Sequence, residues 1–246
     1  RGAAHAQPED TTVINFDTVG AENTWNQNAH DFSAQHIEEL TSMLQLCQEN
    51  GTRLLLISAP KTTLDVVSYE TYFDDYAYFK QLAAQYGASY YDFNLAKPEL
   101  FENKEPDYHK DFTHMNAAGG HAFSLSMAKF LAMLDAGQDV ESLFETPSEY
   151  LVAVNYITNV YLTPEVHPDK ILLLAGSYHG PSVQAEYEFW VKAPGESEYS
   201  RVSAYSTRSW TEYAAAEHGT YQFRVNARIV GSSADFERYY ECSVDF

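Results

Sequence analysis

The residues best able to do chemistry lie in one stretch, Asp107-Tyr-His-Lys-Asp-Phe-Thr-His-Met-Asn116, followed closely by Gly119-Gly120. Within it Asp111 and His114 form an Asp-x-x-His pair. A serine hydrolase needs a histidine to take the proton of its nucleophile, and a carboxylate to fix the tautomer and stabilise the imidazolium. Two residues between acid and base on a tight loop let both side chains point to the same side. A competing, purely structural reading has Asp111 and Asn116 capping the loop and the next helix, with His114 packed against them. A metal reading uses Asp107, His109, Asp111, His114 and His121, all donors that zinc accepts, but in a spacing that matches no established site. Ser58 ends an apolar strand run, where a nucleophile can be displayed, yet Ser58-Ala59-Pro60 forms no recognisable elbow. The pattern implies no cofactor.

These residues need elements to position them. Ile37, Leu40, Leu44 and Cys47 recur at steps of three and four, which predicts a one-sided helix, with Asn50-Gly51 as its stop. Leu54 to Ile57, ended by Pro60, reads as a strand covered on both faces. Tyr69, Tyr72, Phe73, Tyr76, Phe79, Leu82, Ala83 and Tyr86 predict a second helix from Tyr69 to Tyr86, its aromatic stripe facing a core or an interface. A strand follows at Ala88–Phe93, then a loop from Asn94 to about Met115. A third helix is expected from Ala117 to Leu134, with Asn116 as its N-cap. Such alternation calls for a parallel sheet flanked by helices. Residues 136–147 read as a linker. Beyond it the period changes to two: Ala185, Tyr187, Phe189 and Val191 alternate with polar neighbours, as do Tyr221, Phe223, Val225, Ala227 and Ile229. About seven short strands are expected over residues 148–246, the pattern of a sandwich. Residues 1–27 are polar and irregular, apart from a possible strand at Thr12 to Phe16.

Residues 28–135 resemble the C-terminal portion of an SGNH (GDSL-like) hydrolase or acyltransferase domain, in the style of bacterial cell-envelope proteins. The resemblance rests on Asp111, His114, Asn116 and Gly119, which match the family's last block, and on the strand Leu54 to Ile57 with Ala59-Pro60 after it. It implies a partial α/β fold, with His114 as base and Asp111 as its orienting acid. The family's nucleophile sits in a Gly-Asp-Ser or Gly-Asn-Ser block, and neither occurs here. The resemblance therefore implies a serine from outside this sequence, or a degenerate relative without hydrolytic activity. Residues 148–246 resemble immunoglobulin-like, triple-tyrosine-like modules of bacterial surface proteins through Trp210, Gly219, Tyr221, Phe223 and Val225. Trp190 is a candidate for stacking on sugars, although such a ring more often closes the edge of a sandwich core.

Composition bounds the partners. Apolar residues make up 45% and aromatics 15%, ample for packed cores. Fifteen basic against 35 acidic residues give a formal charge of −20 and a pI near 4.6, which argues against nucleic acid because phosphate binding draws on clustered Lys and Arg. The apolar runs are too short to span a membrane. Cys47 and Cys242 fall in different predicted domains, so no bridge between them is expected. The chain begins at Arg1, which reads as a trimmed N-terminus, and Ala4-His5-Ala6 resembles a small-residue cleavage site without the apolar segment that should precede it. The expectation is an esterase or O-acyltransferase acting on a glycan or an acylated small molecule, extracellular or at a bacterial cell surface. Its thin sheet would associate with a missing N-terminal half or another copy. The alternative is a non-catalytic glycan- or protein-binding protein.

Overall fold

A computed structural model describes residues 33–69, 71–104, 107–108 and 114–246. They fall into two compact units that change over between Tyr150 and Leu151. The strand expected at Thr12 to Phe16 lies outside the described residues.

In the first unit, α1 (Ala34–Glu49) starts at Ser33, whose hydroxyl accepts the His36 N–H at 3.2 Å. It buries Leu44, half-buries Ile37, Leu40 and Cys47, and stops at Gly51, whose φ of +61° suits a residue without a Cβ. Strand β1 (Leu55–Ser58) then pairs in parallel with β2 (Ser89–Asp92), Leu55 opposite Ser89 and Ser58 opposite Asp92. The strand alternation divides their side chains between two helices. Leu55, Ile57, Tyr91 and the following Phe93 pack with Phe130 of α4 (Ala117–Asp135). Leu56, Ser58, Tyr90 and Asp92 face the other way, where Tyr76 and Phe79 of α3 (Tyr72–Gln85) meet the Tyr90 ring at centroid distances of 5.7 and 6.3 Å. Each residue of β1 is only half-buried, because β2 is its one strand neighbour among the described residues.

The helix expected over Tyr69–Tyr86 is α3, which begins three residues later at Tyr72; before it a short helix that periodicity did not reveal, α2 (Thr63–Ser68), ends at Tyr69, whose backbone is extended (φ −96°, ψ 98°). The start of α2 did carry a signal, since Thr62 accepts the Asp65 N–H in a Thr-x-x-Asp arrangement. Residues 136–147, read as a linker, are packed down. Val140 is buried, the Phe144 ring packs against Tyr91, Phe93 and Phe130, and backbone bonds Lys97 N–H to Leu143 O and Glu145 N–H to Leu95 O hold the segment down. Its polar composition hides three apolar anchors, Val140, Leu143 and Phe144. A last helix, α5 (Pro147–Ala153), follows.

The second unit contains seven antiparallel strands in two sheets. These are β3 (Ile157–His167), β4 (Lys170–His179), β5 (Ala185–Lys192), β6 (Ser200–Ser206), β7 (Trp210–Tyr213), β8 (Thr220–Ile229) and β9 (Arg238–Asp245). The sheet orders are β3-β4-β7 and β6-β5-β8-β9. Ile157, Val160 and Leu162 of β3 and Ile171 and Leu173 of β4 share one core with Tyr187, Phe189 and Val191 of β5 and Phe223, Val225 and Ala227 of β8. Each such large apolar side chain contributes roughly 1.5–3 kcal/mol by leaving water, so the alternation read from the sequence is also what holds the two sheets face to face. Tyr221 is buried at the start of β8, and its hydroxyl donates to the Glu217 carbonyl at 2.9 Å in the turn before the strand. No helix among the described residues is long and apolar enough to cross a membrane.

Tyr221→Phe leaves the Glu217 carbonyl without that donor and keeps the ring. The expected loss is about 1 kcal/mol in urea-induced unfolding; an unchanged midpoint would show the bond contributes nothing to the corner.

Candidate functional site

Ser58 and Asp92 end their strands side by side, so the chain exits from β1 and β2 at the same edge. In open α/β sheets this carboxyl edge is where ligands sit. Asn94, buried just past β2, ties the two exits together. Its Oδ1 accepts the Lys61 N–H at 2.7 Å and its Nδ2 lies 3.2 Å from the Ala59 carbonyl, so the segment leaving β1 is clamped to the one leaving β2.

Behind the clamp, Asp92 is enclosed. One carboxylate oxygen accepts the Asn94 N–H at 3.0 Å and Nδ2 at 2.8 Å, and the other accepts the Tyr72 hydroxyl at 2.8 Å. Burial raises the Asp92 pKa above the usual carboxylate value, while these hydrogen bonds oppose the shift. Burial, and then the Asp92 charge, push the Tyr72 phenol well above its ordinary value. With both oxygens engaged, Asp92 holds its neighbours in place rather than serving as an open base.

The same edge reaches the histidine loop. Asn103 Nδ2 donates to the Lys61 carbonyl at 2.7 Å, and its Oδ1 accepts the Tyr108 hydroxyl at 2.6 Å. Tyr108 is fully buried and forms a β-bridge with Met115, and the Asn116 N–H donates to the Asp107 carbonyl at 2.8 Å. His114 is therefore carried beside Met115 on a loop fastened to the carboxyl ends of the parallel strands, and it is exposed. Asp111, its expected partner, lies outside the described residues, as does His109.

Two further motif residues have structural roles. Asn116 caps α4, its Oδ1 accepting the N–H groups of Ala118 and Gly119 at 3.0 and 3.1 Å. A Cβ on Gly119 would collide with the Asp107 carbonyl and stand 2.9 Å from the Asp107 Cβ, so glycine is what lets the loop lie against the helix start. The structural reading of Asn116 as a cap thus holds alongside a histidine exposed to solvent.

Ser58 is bonded at 2.7 Å to the hydroxyl of Tyr90, whose pKa is raised first by burial and then by Asp92. A phenol held protonated does not remove the serine proton, so this contact does not activate Ser58. A cavity of about 320 Å³ opens beside the pair, walled by Tyr76, Phe79 and Tyr90. A larger one of about 570 Å³ lies along β2 between Lys80 and Phe144 and contains neither a serine nor a histidine. No group of three or more His, Cys, Asp or Glu among the described residues could hold a metal ion. Nothing in the sequence singled out Asn103 or Tyr108 as supports.

In the second unit Trp190 does not close the core. It lies on the outer face of its sheet and donates its Nε1–H to Glu188 at 2.9 Å, while Arg201 approaches the same carboxylate at 3.4 Å. Cys47 and Cys242 are free thiols, that of Cys242 pushed up to about 11 by burial. No protein-family model matches this chain, and no significant match is found among curated proteins.

Asn116→Ala removes the cap of α4 and should cost about 1 kcal/mol; Gly119→Ala forces the Asp107 backbone away and should cost about 1–3 kcal/mol. Thermal melts check both, and wild-type midpoints would remove the structural account of these residues.

Proposed function

We propose that the first unit is an SGNH-like esterase or O-acyltransferase that acts on an acylated glycan at a bacterial cell surface. The observation that carries this reading is an exposed histidine on a loop fastened, through Asn94, Lys61, Asn103 and Tyr108, to the carboxyl ends of parallel strands. Helices on both faces of that pair, and an Asp-x-x-His sequence just ahead of a capped helix, support the same class. In the proposed reaction His114 takes a serine hydroxyl proton as the serine oxygen attacks the ester carbonyl. It returns that proton to the departing sugar oxygen, and water or an acceptor hydroxyl then releases the acyl group by the same route. Asp111 orients the imidazole. The nucleophile is assigned to polypeptide outside this sequence, since Ser58 is bonded to a phenol and no Gly-Asp-Ser or Gly-Asn-Ser is present. The second unit is read as an immunoglobulin-like module. Its support is the seven strands in orders β3-β4-β7 and β6-β5-β8-β9, and the Tyr221 hydroxyl bonded back to the corner before β8.

The test uses the continuous polypeptide that includes the serine-bearing segment, with 4-nitrophenyl acetate as substrate. His114→Ala should lower kcat by about a hundredfold or more, and hydrolysis at the wild-type rate in that variant would sink the assignment.

A second reading, a non-catalytic binding protein, is favoured by the outer face of the four-stranded sheet. There Trp190 stands beside Arg224, which stacks on Tyr199 and Tyr239 at 5.3 and 4.5 Å. It expects no labelling by a fluorophosphonate probe and glycan-array binding that Trp190→Ala abolishes. Array signal untouched by that substitution would count against it.

A further inference from the structure

The cavity at the carboxyl ends of β1 and β2 has a chemistry of its own. At about 320 Å³ it is at the small end of ligand pockets, which run from about 300 to 1,000 Å³. That is room for a single ring rather than an extended chain. One wall is aromatic: Tyr76 and Phe79 from α3 and Tyr90 from β2, their rings clustered within 5.7 and 6.3 Å. The polar side holds the Asp75 carboxylate, Tyr69, Tyr72 and Asn94 together with the Ser58–Tyr90 pair. Two hydroxyls carry two protons and four lone pairs, and the 2.7 Å bond between them uses one proton and one lone pair. Neither hydroxyl has another partner among the described residues, so the pair retains one donor and several acceptor sites beside the cavity. Lys61, also lining it, has its ammonium paired with Asp65 at 2.8 Å, which leaves that charge already satisfied for any anionic ligand.

We propose that this cavity binds one neutral pyranose ring, its C–H face against the Tyr76–Phe79–Tyr90 wall and a ring hydroxyl on the Ser58–Tyr90 pair. A sugar hydroxyl both donates and accepts, which matches a half-satisfied hydroxyl pair. A quaternary ammonium would use the aromatic wall and the Asp75 charge but could accept nothing from that donor, so the choline probe decides between the two. The proposal deepens the esterase reading by naming the part of the substrate that is held, and it rests on that reading only for the chemistry after binding.

Saturation-transfer NMR on the whole chain, with methyl β-D-glucopyranoside, N-acetylglucosamine and choline as separate probes, tests it. Transfer is expected to the ring protons of at least one pyranoside and not to choline. Tyr90→Phe, which keeps the ring and removes the hydroxyl, should weaken sugar binding about tenfold. Phe79→Ala should weaken it at least as much, with circular dichroism confirming the fold; if Phe79→Ala does not fold, Tyr90→Phe carries the test alone. No transfer to either pyranoside, equal affinity in Tyr90→Phe, or preference for choline each overturns the proposal. Retained sugar binding together with hydrolysis indifferent to His114 would remove the esterase reading and leave the sugar site standing.

Discussion

One amide side chain joins the two strand exits on which the candidate site is built. Asn94, itself buried, accepts from the Lys61 backbone and holds its amide nitrogen within hydrogen-bond distance of Ala59, Tyr72 and Asp92. A buried polar group left without partners costs about 1–3 kcal/mol, and in a low-dielectric setting each bond is correspondingly directional. The clamp therefore fixes where the chain leaves β1, and with it the Lys61 carbonyl to which Asn103 is bonded. Tyr108 is held by Asn103, Met115 is bridged to Tyr108, and His114 stands next to Met115. Each link passes position rather than charge.

Each unit is held together internally by different physics. The second relies on a continuous apolar core between two sheets, a non-directional attraction that tolerates variation at any one position. The first has a two-stranded sheet, an aromatic cluster around Phe93, Phe130 and Phe144 on one face, and directional polar bonds at the strand ends. Polar order of that kind suits a site, because it holds groups at set distances while leaving one edge open. The Asp92 carboxylate shows the cost. It is buried among tyrosines at a raised pKa and is kept in place by the same bonds that organise the edge.

Much of the fold was legible in the chain. The three- and four-residue spacing of α1, the Asn116 cap of α4 and the alternation of β5 and β8 are local signals, and local geometry was enough to form them. The short helix α2 was not legible, because six residues hold too little of a helical period. Nor was the packing of residues 136–147, whose three anchors sit among polar residues. In the candidate site, the sequence singled out His114 and marked Asn116 as a cap. It could not tell that Ser58 spends its hydroxyl on Tyr90, a residue 32 positions away.

By itself the sequence determined the types and order of the longer elements and the motif around His114, because periodicity, caps and turn residues act over a few positions. Only the tertiary structure decided which of those residues meet. The pairing of Ser58 with Tyr90, the clamp from Asn94 to Lys61 and the support of the histidine loop by Asn103 and Tyr108 all depend on two strands lying in register. That register is set by which faces of β1 and β2 bury against α3 and α4, a choice that no single segment contains.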